Sequence, residues 1–91
     1  MHDSIKEIEL EINFNLELDN LPSSIKKIKF NEYSHYDDKE LNCLPIGLEI
    51  LQLPFKYNLS IQNIPSGLKK LICSKDYLFI NDFVNIEVET Y

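Results

Sequence analysis

Leu-Pro-Ser-Ser-Ile-Lys-Lys-Ile-Lys-Phe, residues 21–30, is the stretch that decides the fold, because its pattern returns along the chain. Ile25 is followed by apolar residues at the third and fifth positions after it. The same spacing starts three further copies and a weaker fifth one, at Ile5, Leu48, Leu68 and Phe83. The first four copies follow one another at intervals of 20, 23 and 20 residues. Self-similarity at this period indicates a solenoid in which each repeat forms one turn.

The residues around the apolar spacing repeat as well. A Leu-Pro or Ile-Pro pair precedes three copies by the same distance, which places prolines at Pro22, Pro45 and Pro65. A serine or glycine stands directly before each of the first four copies, where the chain must bend into a strand. Behind two copies, an aromatic residue is followed by Asn15 or Asn58. We expect these prolines and asparagines to shape turns, since an Asn amide can satisfy backbone groups that no sheet reaches. A ligand-binding Asn pair is the alternative.

Each copy ends in alternating apolar and polar residues, which is typical of a short strand with one buried face. A rung of about 20 residues leaves no room for a long return helix, and its proline interrupts what remains. Strands separated by a full return run parallel. The sequence therefore predicts a mainly β, right-handed, leucine-rich-repeat-like solenoid, with a parallel strand ladder and turn-like or 3-10 returns. The single domain covers residues 1–91, with rungs near 4–20, 21–43, 44–63 and 64–79 and a short capping rung at 80–91.

Residues 21–30 and 64–71, with Tyr57-Asn58-Leu59-Ser60-Ile61 between them, closely resemble FNIP repeats. These are leucine-rich-repeat-like units, abundant in large DNA viruses of amoebae and in social amoebae, and often preceded by an F-box that recruits a ubiquitin ligase. The resemblance covers about residues 4–82 and implies a repeat protein that binds other proteins. The stretch ahead of Ser4 is too short for an F-box, so a ligase-adaptor role is not expected. The resemblance also implies an intracellular protein, in the host cytoplasm if the source is a virus.

Composition argues against several other classes of protein. The net charge of −6 opposes binding to nucleic acid or anionic lipid. All nine basic residues are lysine, so the chain has no arginine to bind a phosphate or a guanine through two parallel hydrogen bonds. No apolar run approaches the length of a membrane helix, and no signal peptide is visible. We therefore expect neither a nucleic-acid nor a membrane partner, and a cytoplasmic location in which both cysteines stay reduced.

The sequence contains no catalytic constellation. His35, Asp37, Asp38 and Glu40 could bind a divalent cation weakly, but their spacing lacks the glycine and the terminal glutamate of a calcium loop. Cys73 falls on the inward side of its strand, where it is expected to fill space rather than act as a nucleophile. We expect no cofactor, no metal and no enzyme activity, with a small enzyme built around His35 as a remote alternative.

The outward face of the strand ladder is therefore the candidate site, because solenoids of this kind usually bind their partners there. Opposite charges on adjacent strands predict pairing of Glu7 with Lys27, of Glu9 with Lys29, and of Glu49 with Lys26 or Lys69, which accounts for much of this face. The sharper hypothesis is a small apolar patch rimmed by lysine, suited to an acidic protein or peptide. The residues assigned to partner binding are Ile50, Ile72, Lys69, Lys70, Lys27, Lys29 and Gln52.

A competing function is structural assembly. A solenoid has two open ends, and the strand at the amino end has only a thin cover, whereas the charges of the last rung discourage further pairing. The chain could thus be a self-assembling piece, or part of a longer repeat array, without a separate ligand. In that case we expect a homodimer through a solenoid end.

Overall fold

The structure, a computed structural model, describes residues 6–10, 23–34, 41, 44–61 and 63–91. Within these residues the chain forms five short strands and one single-turn 3-10 helix. In chain order these are β1 (Glu7–Leu10), β2 (Lys27–Phe30), β3 (Ile50–Gln52), β4 (Lys70–Cys73), the 3-10 helix η1 (Ile80–Asp82) and β5 (Glu87–Thr90). The predicted mainly β solenoid is confirmed, and the described part of the chain contains no helix long and apolar enough to cross a membrane.

All five strands lie in one parallel sheet, and each strand pairs with the next one along the sequence. The central residues of the first four strands, Ile8, Ile28, Leu51 and Leu71, stand side by side. This is the register that the i, i+3, i+5 spacing predicts. The backbone enters β2, β3 and β4 in the same way. At each of these strands the N–H groups of two successive residues donate to one carbonyl of the preceding rung, as those of Lys26 and Lys27 do to Lys6.

The fifth rung differs from its prediction by two residues. The repeated spacing places Ile86 beside Leu71, but in the structure Val88 occupies that position. The return before β5 uses more residues than expected, because η1 forms first and Asn85 then adopts a left-handed backbone conformation at φ 61°. Asparagine tolerates this conformation better than most residues do. The strand therefore begins at Glu87, two residues later than the spacing indicates.

The core consists of columns of inward side chains that run from rung to rung. Three columns run along β2, β3 and β4 and the residues that flank these strands, and every side chain in them is 5% exposed or less. They are Ile25, Leu48 and Leu68; Ile28, Leu51 and Leu71; and Phe30, Leu53 and Cys73. Cys73 is 1% exposed, and burial raises the pKa of its thiol to about 11. It fills space in the core, as predicted, and at neutral pH it is not a thiolate nucleophile.

Aromatic residues on the return side tie successive rungs together. Tyr57 is buried, and its hydroxyl oxygen accepts the backbone N–H of Leu41 at 3.1 Å. Tyr77 lies twenty residues later, and its hydroxyl donates to the carbonyl of Leu59 at 2.7 Å. The two rings stand 6.3 Å apart, and burial raises the pKa of Tyr77. Tyr57 is thus an interior residue.

The prolines and asparagines predicted to shape turns lie both before and after the strands. The carbonyls of Pro45 and Pro65 each accept an N–H three residues ahead, at 3.1 Å, which closes the turn into the strand. Asn58 is exposed rather than buried, and its Oδ1 accepts the N–H of Leu78 in the next rung at 2.8 Å. Asn15 and Pro22 lie outside the described residues.

Candidate functional site: the outward strand face

Ten outward side chains form what we call the strand face, two from each strand. The register arranges them in two columns: Glu7, Lys27, Ile50, Lys70 and Glu87; Glu9, Lys29, Gln52, Ile72 and Glu89. Six of the seven residues predicted to bind a partner belong to this face. The seventh, Lys69, directly precedes β4, and its carbonyl accepts the N–H of Glu87 at 3.0 Å.

The apolar part of the strand face lies at its centre. Ile50 on β3 stands beside Lys70, and Ile72 on β4 stands beside Gln52, so the two isoleucines are diagonal neighbours as predicted. Both side chains are half-buried. Because Gln52 also donates from Nε2 to the carbonyl of Phe30 at 3.3 Å, its amide is held against the ladder. The centre of the face therefore combines two apolar side chains with an amide that is bonded to the backbone of β2.

The lysines at the carboxyl-terminal end of the ladder are already paired. Lys70 lies 3.0 Å from a carboxylate oxygen of Glu89 and 3.6 Å from one of Glu87. The hydrogen bond that Lys70 donates to Glu89, together with the negative charges of both glutamates, raises the pKa of Lys70. Lys69 lies 3.8 Å from Glu49, which confirms one predicted pair. The lysine rim expected around Ile72 is thus neutralised. The repeated spacing places Asn85 beside Lys70, but the two-residue shift of β5 places Glu87 there instead.

The lysines of β2 differ from those of β4. Glu7 and Glu9 stand beside Lys27 and Lys29 in the ladder, as predicted from the repeat register. Among the described residues, however, ion pairs form only at Lys69 and Lys70. The ammonium groups of Lys27 and Lys29 therefore form no ion pair within the part of the chain that the structure describes. On the strand face, the positive charge that is left for an acidic partner to contact therefore lies on β2.

No known family model, curated protein or solved structure matches this chain. In the described ranges, no group of three or more His, Cys, Asp or Glu side chains could hold a metal ion. The loop at 35–40, where the sequence offered a weak cation site but no metal was expected, lies outside those ranges.

The sequence pattern did not predict an aromatic pair that lies beside the strand face. Phe55 follows β3 and is 49% exposed, and its ring lies 6.1 Å from that of Tyr91. Tyr91 follows β5, yet its hydroxyl donates to the carbonyl of Leu53 at 2.8 Å, so it reaches back across β4. Burial raises the pKa of Tyr91 to about 12. The only signal in the sequence was an aromatic residue at Phe55, where the neighbouring rungs carry Glu32 and Lys75.

A groove opens beside the carboxyl ends of β3 and β4, lined by Phe55, Lys56, Tyr57, Asn58, Ser74, Asp76 and Tyr77. Several of its polar groups already serve the turns around it. Ser74 Oγ accepts the N–H of Asp76 at 3.1 Å, and the Asn58 amide oxygen is bound by Leu78. The strand face presents a larger set of side chains directed outward, and its mixed apolar and charged surface is suited to noncovalent recognition.

Proposed function

We propose that the chain is a non-catalytic protein-interaction module that binds a protein partner through the strand face. The observation that carries this proposal is the combination of two half-buried isoleucines, Ile50 and Ile72, with the adjacent lysines of β2. Apolar contact supplies binding free energy, and charges at the margin orient the partner. A partner with an apolar residue flanked by carboxylates would contact both groups at once. The proposal includes membership of the FNIP repeat family, which residues 21–30 and 57–71 resemble.

The charges of the strand face favour a protein over a nucleic acid as the partner. The face carries three lysines, Lys27, Lys29 and Lys70, against four glutamates, Glu7, Glu9, Glu87 and Glu89. Phosphate backbones are bound by surfaces with a clear excess of positive charge. A mixed face of this kind discriminates among proteins by the pattern of its charges.

Replacing Ile50 and Ile72 together by serine tests the proposal. We expect the double variant to bind the partner at least about tenfold more weakly, because two apolar contacts are lost at the centre of the face. Ile46→Ser is the matched control. Ile46 is 76% exposed in the turn before β3, and so lies off the strand face. The measurement is quantitative affinity capture from an extract of the source cells, with each variant immobilised at equal density.

The informative proteins are those retained by the wild-type chain and by Ile46→Ser but lost with the double variant. Circular dichroism and thermal unfolding of each variant must first show that the fold is intact. If the folded double variant retains the same proteins with the same affinity as the control, the strand face is not the binding surface.

A further inference from the structure

The outer edge of β5 is unpaired within the described residues. β5 is the last strand of the ladder, and the N–H groups of Glu87 and Tyr91 donate to the carbonyls of Lys69 and Cys73 on the β4 side, at 3.0 and 3.1 Å. Backbone groups alternate in direction along a strand. The N–H and carbonyl groups of Val88 and Thr90 are therefore directed away from β4, toward the free edge.

Two exposed carboxylates flank these backbone groups on the outward side. The side chains of Glu87 and Glu89 are 71% and 58% exposed, and both contact the same ammonium group, that of Lys70. One positive charge cannot balance two negative charges. The free edge of β5, defined by Glu87, Val88, Glu89 and Thr90, therefore carries negative charge that a further strand could neutralise.

The same chain shows which kind of strand fits such an edge. β1 also has glutamates at alternate positions, Glu7 and Glu9, with an apolar residue between them. Its neighbour in the ladder is β2, in which Lys27 and Lys29 stand directly beside those glutamates. Opposite charges at directly neighbouring positions on one face favour strand pairing, and like charges oppose it.

We propose that the free edge of β5 binds an extended segment of another protein that has lysines at two alternate positions and an apolar residue between them. The segment adds in parallel to β5 as a sixth strand, with its lysines beside Glu87 and Glu89 and its backbone bonded to Val88 and Thr90. This is strand addition with charge selection. The same rule rejects a second copy of this chain, since β1 of the incoming copy would place Glu7 and Glu9 beside Glu87 and Glu89.

The probe is a synthetic peptide with the sequence of residues 23–32, Ser-Ser-Ile-Lys-Lys-Ile-Lys-Phe-Asn-Glu, added to the uniformly ¹⁵N-labelled chain. We expect amide shifts to centre on Val88 and Thr90, and those two amides to gain protection from hydrogen exchange. A control peptide, in which glutamate replaces the lysines that correspond to Lys27 and Lys29, is expected to bind at least about tenfold more weakly. Equal binding of the two peptides, or shifts confined to β1, would overturn the proposal.

Substitutions in the chain complete the test. Glu87→Gln with Glu89→Gln keeps the size of both side chains, and is expected to weaken binding of the lysine peptide about threefold to tenfold. The triple change Lys70→Glu, Glu87→Lys and Glu89→Lys reverses the charges of the edge while keeping opposite charges between β4 and β5. It is expected to bind the control peptide and to reject the lysine peptide.

If the triple variant does not fold, the glutamine variant still decides the question, and unchanged affinity there contradicts the proposal. Ile50 lies at the apolar centre of the strand face, two strands away from the β5 edge, and Ile50→Ser is expected to leave peptide binding unchanged. Because Glu87 and Glu89 belong to both surfaces, this control distinguishes peptide binding at the β5 edge from contact with the centre of the strand face.

Discussion

Leu71→Ala is expected to destabilise the protein by about 2–5 kcal/mol, because the lost methyl groups leave a cavity that the ladder cannot close. Leu71 is fully buried, and it lies between Leu51 of β3 and Val88 of β5. A small domain has only about 5–15 kcal/mol of folding free energy, so this single change removes a large share of it. The measurement is urea-induced unfolding followed by circular dichroism, fitted to a two-state transition.

Leu78→Ala is the matched control, since it deletes the same atoms from a side chain that is 73% exposed. The hydrogen bond between Leu78 and Asn58 uses the backbone N–H and survives the substitution. We expect a change within about 0.5 kcal/mol at this exposed position. Equal destabilisation by the two variants would show that Leu71 is not in a closely packed core.

Gly47→Ala is expected to destabilise the protein by about 1–3 kcal/mol, because the added methyl group has no space. A Cβ at this position would stand 2.6 Å from the carbonyl oxygen of Ser23 and 3.1 Å from the ammonium nitrogen of Lys26. The nearer atom belongs to the backbone of the preceding rung, so relief of the clash requires the two rungs to move apart. The cost arises from the close approach of the rungs, since Gly47 does not have a positive φ.

Gly67 occupies the equivalent position in the next rung and provides the comparison. A Cβ there meets no atom within 4 Å, and its φ is not positive. Gly67→Ala is expected to stabilise the fold by about 0.4–1 kcal/mol, because alanine restricts the unfolded chain. The difference between the two unfolding free energies is the quantity of interest. A Gly47→Ala variant as stable as Gly67→Ala would contradict the inter-rung contact at Ser23.

The repeat pattern predicted the first four strands because each rung places the same side chains inside. Ile28, Leu51 and Leu71 pair as the spacing requires, and a one-residue slip of any of these strands would expose them. The fifth strand was misaligned by two residues. A two-residue shift preserves which side chains point inward, so alternation alone could not detect it. It does change the neighbours across the ladder, and so moved the two glutamates next to Lys70.

The candidate site was predicted in outline for the same reason. Outward positions follow from alternation, which is why Ile50, Gln52 and Ile72 fall on one surface. The repeat register predicted the ion pair of Lys69 with Glu49, but the two ion pairs of Lys70 depend on the register of β5, which the spacing placed two residues away. The contact between Phe55 and Tyr91 depends on a side chain that crosses an intervening strand. No local spacing indicates such a contact.

We propose that the chain is a monomeric solenoid that recognises other proteins rather than assembling with itself. Light scattering coupled to size-exclusion chromatography, over a hundredfold dilution series at neutral pH, tests it most directly. We expect a mass near 10.7 kDa at every concentration, because like charges at the two ends of the ladder oppose stacking of copies. A heavier species that dissociates on dilution would contradict this account and favour structural assembly instead.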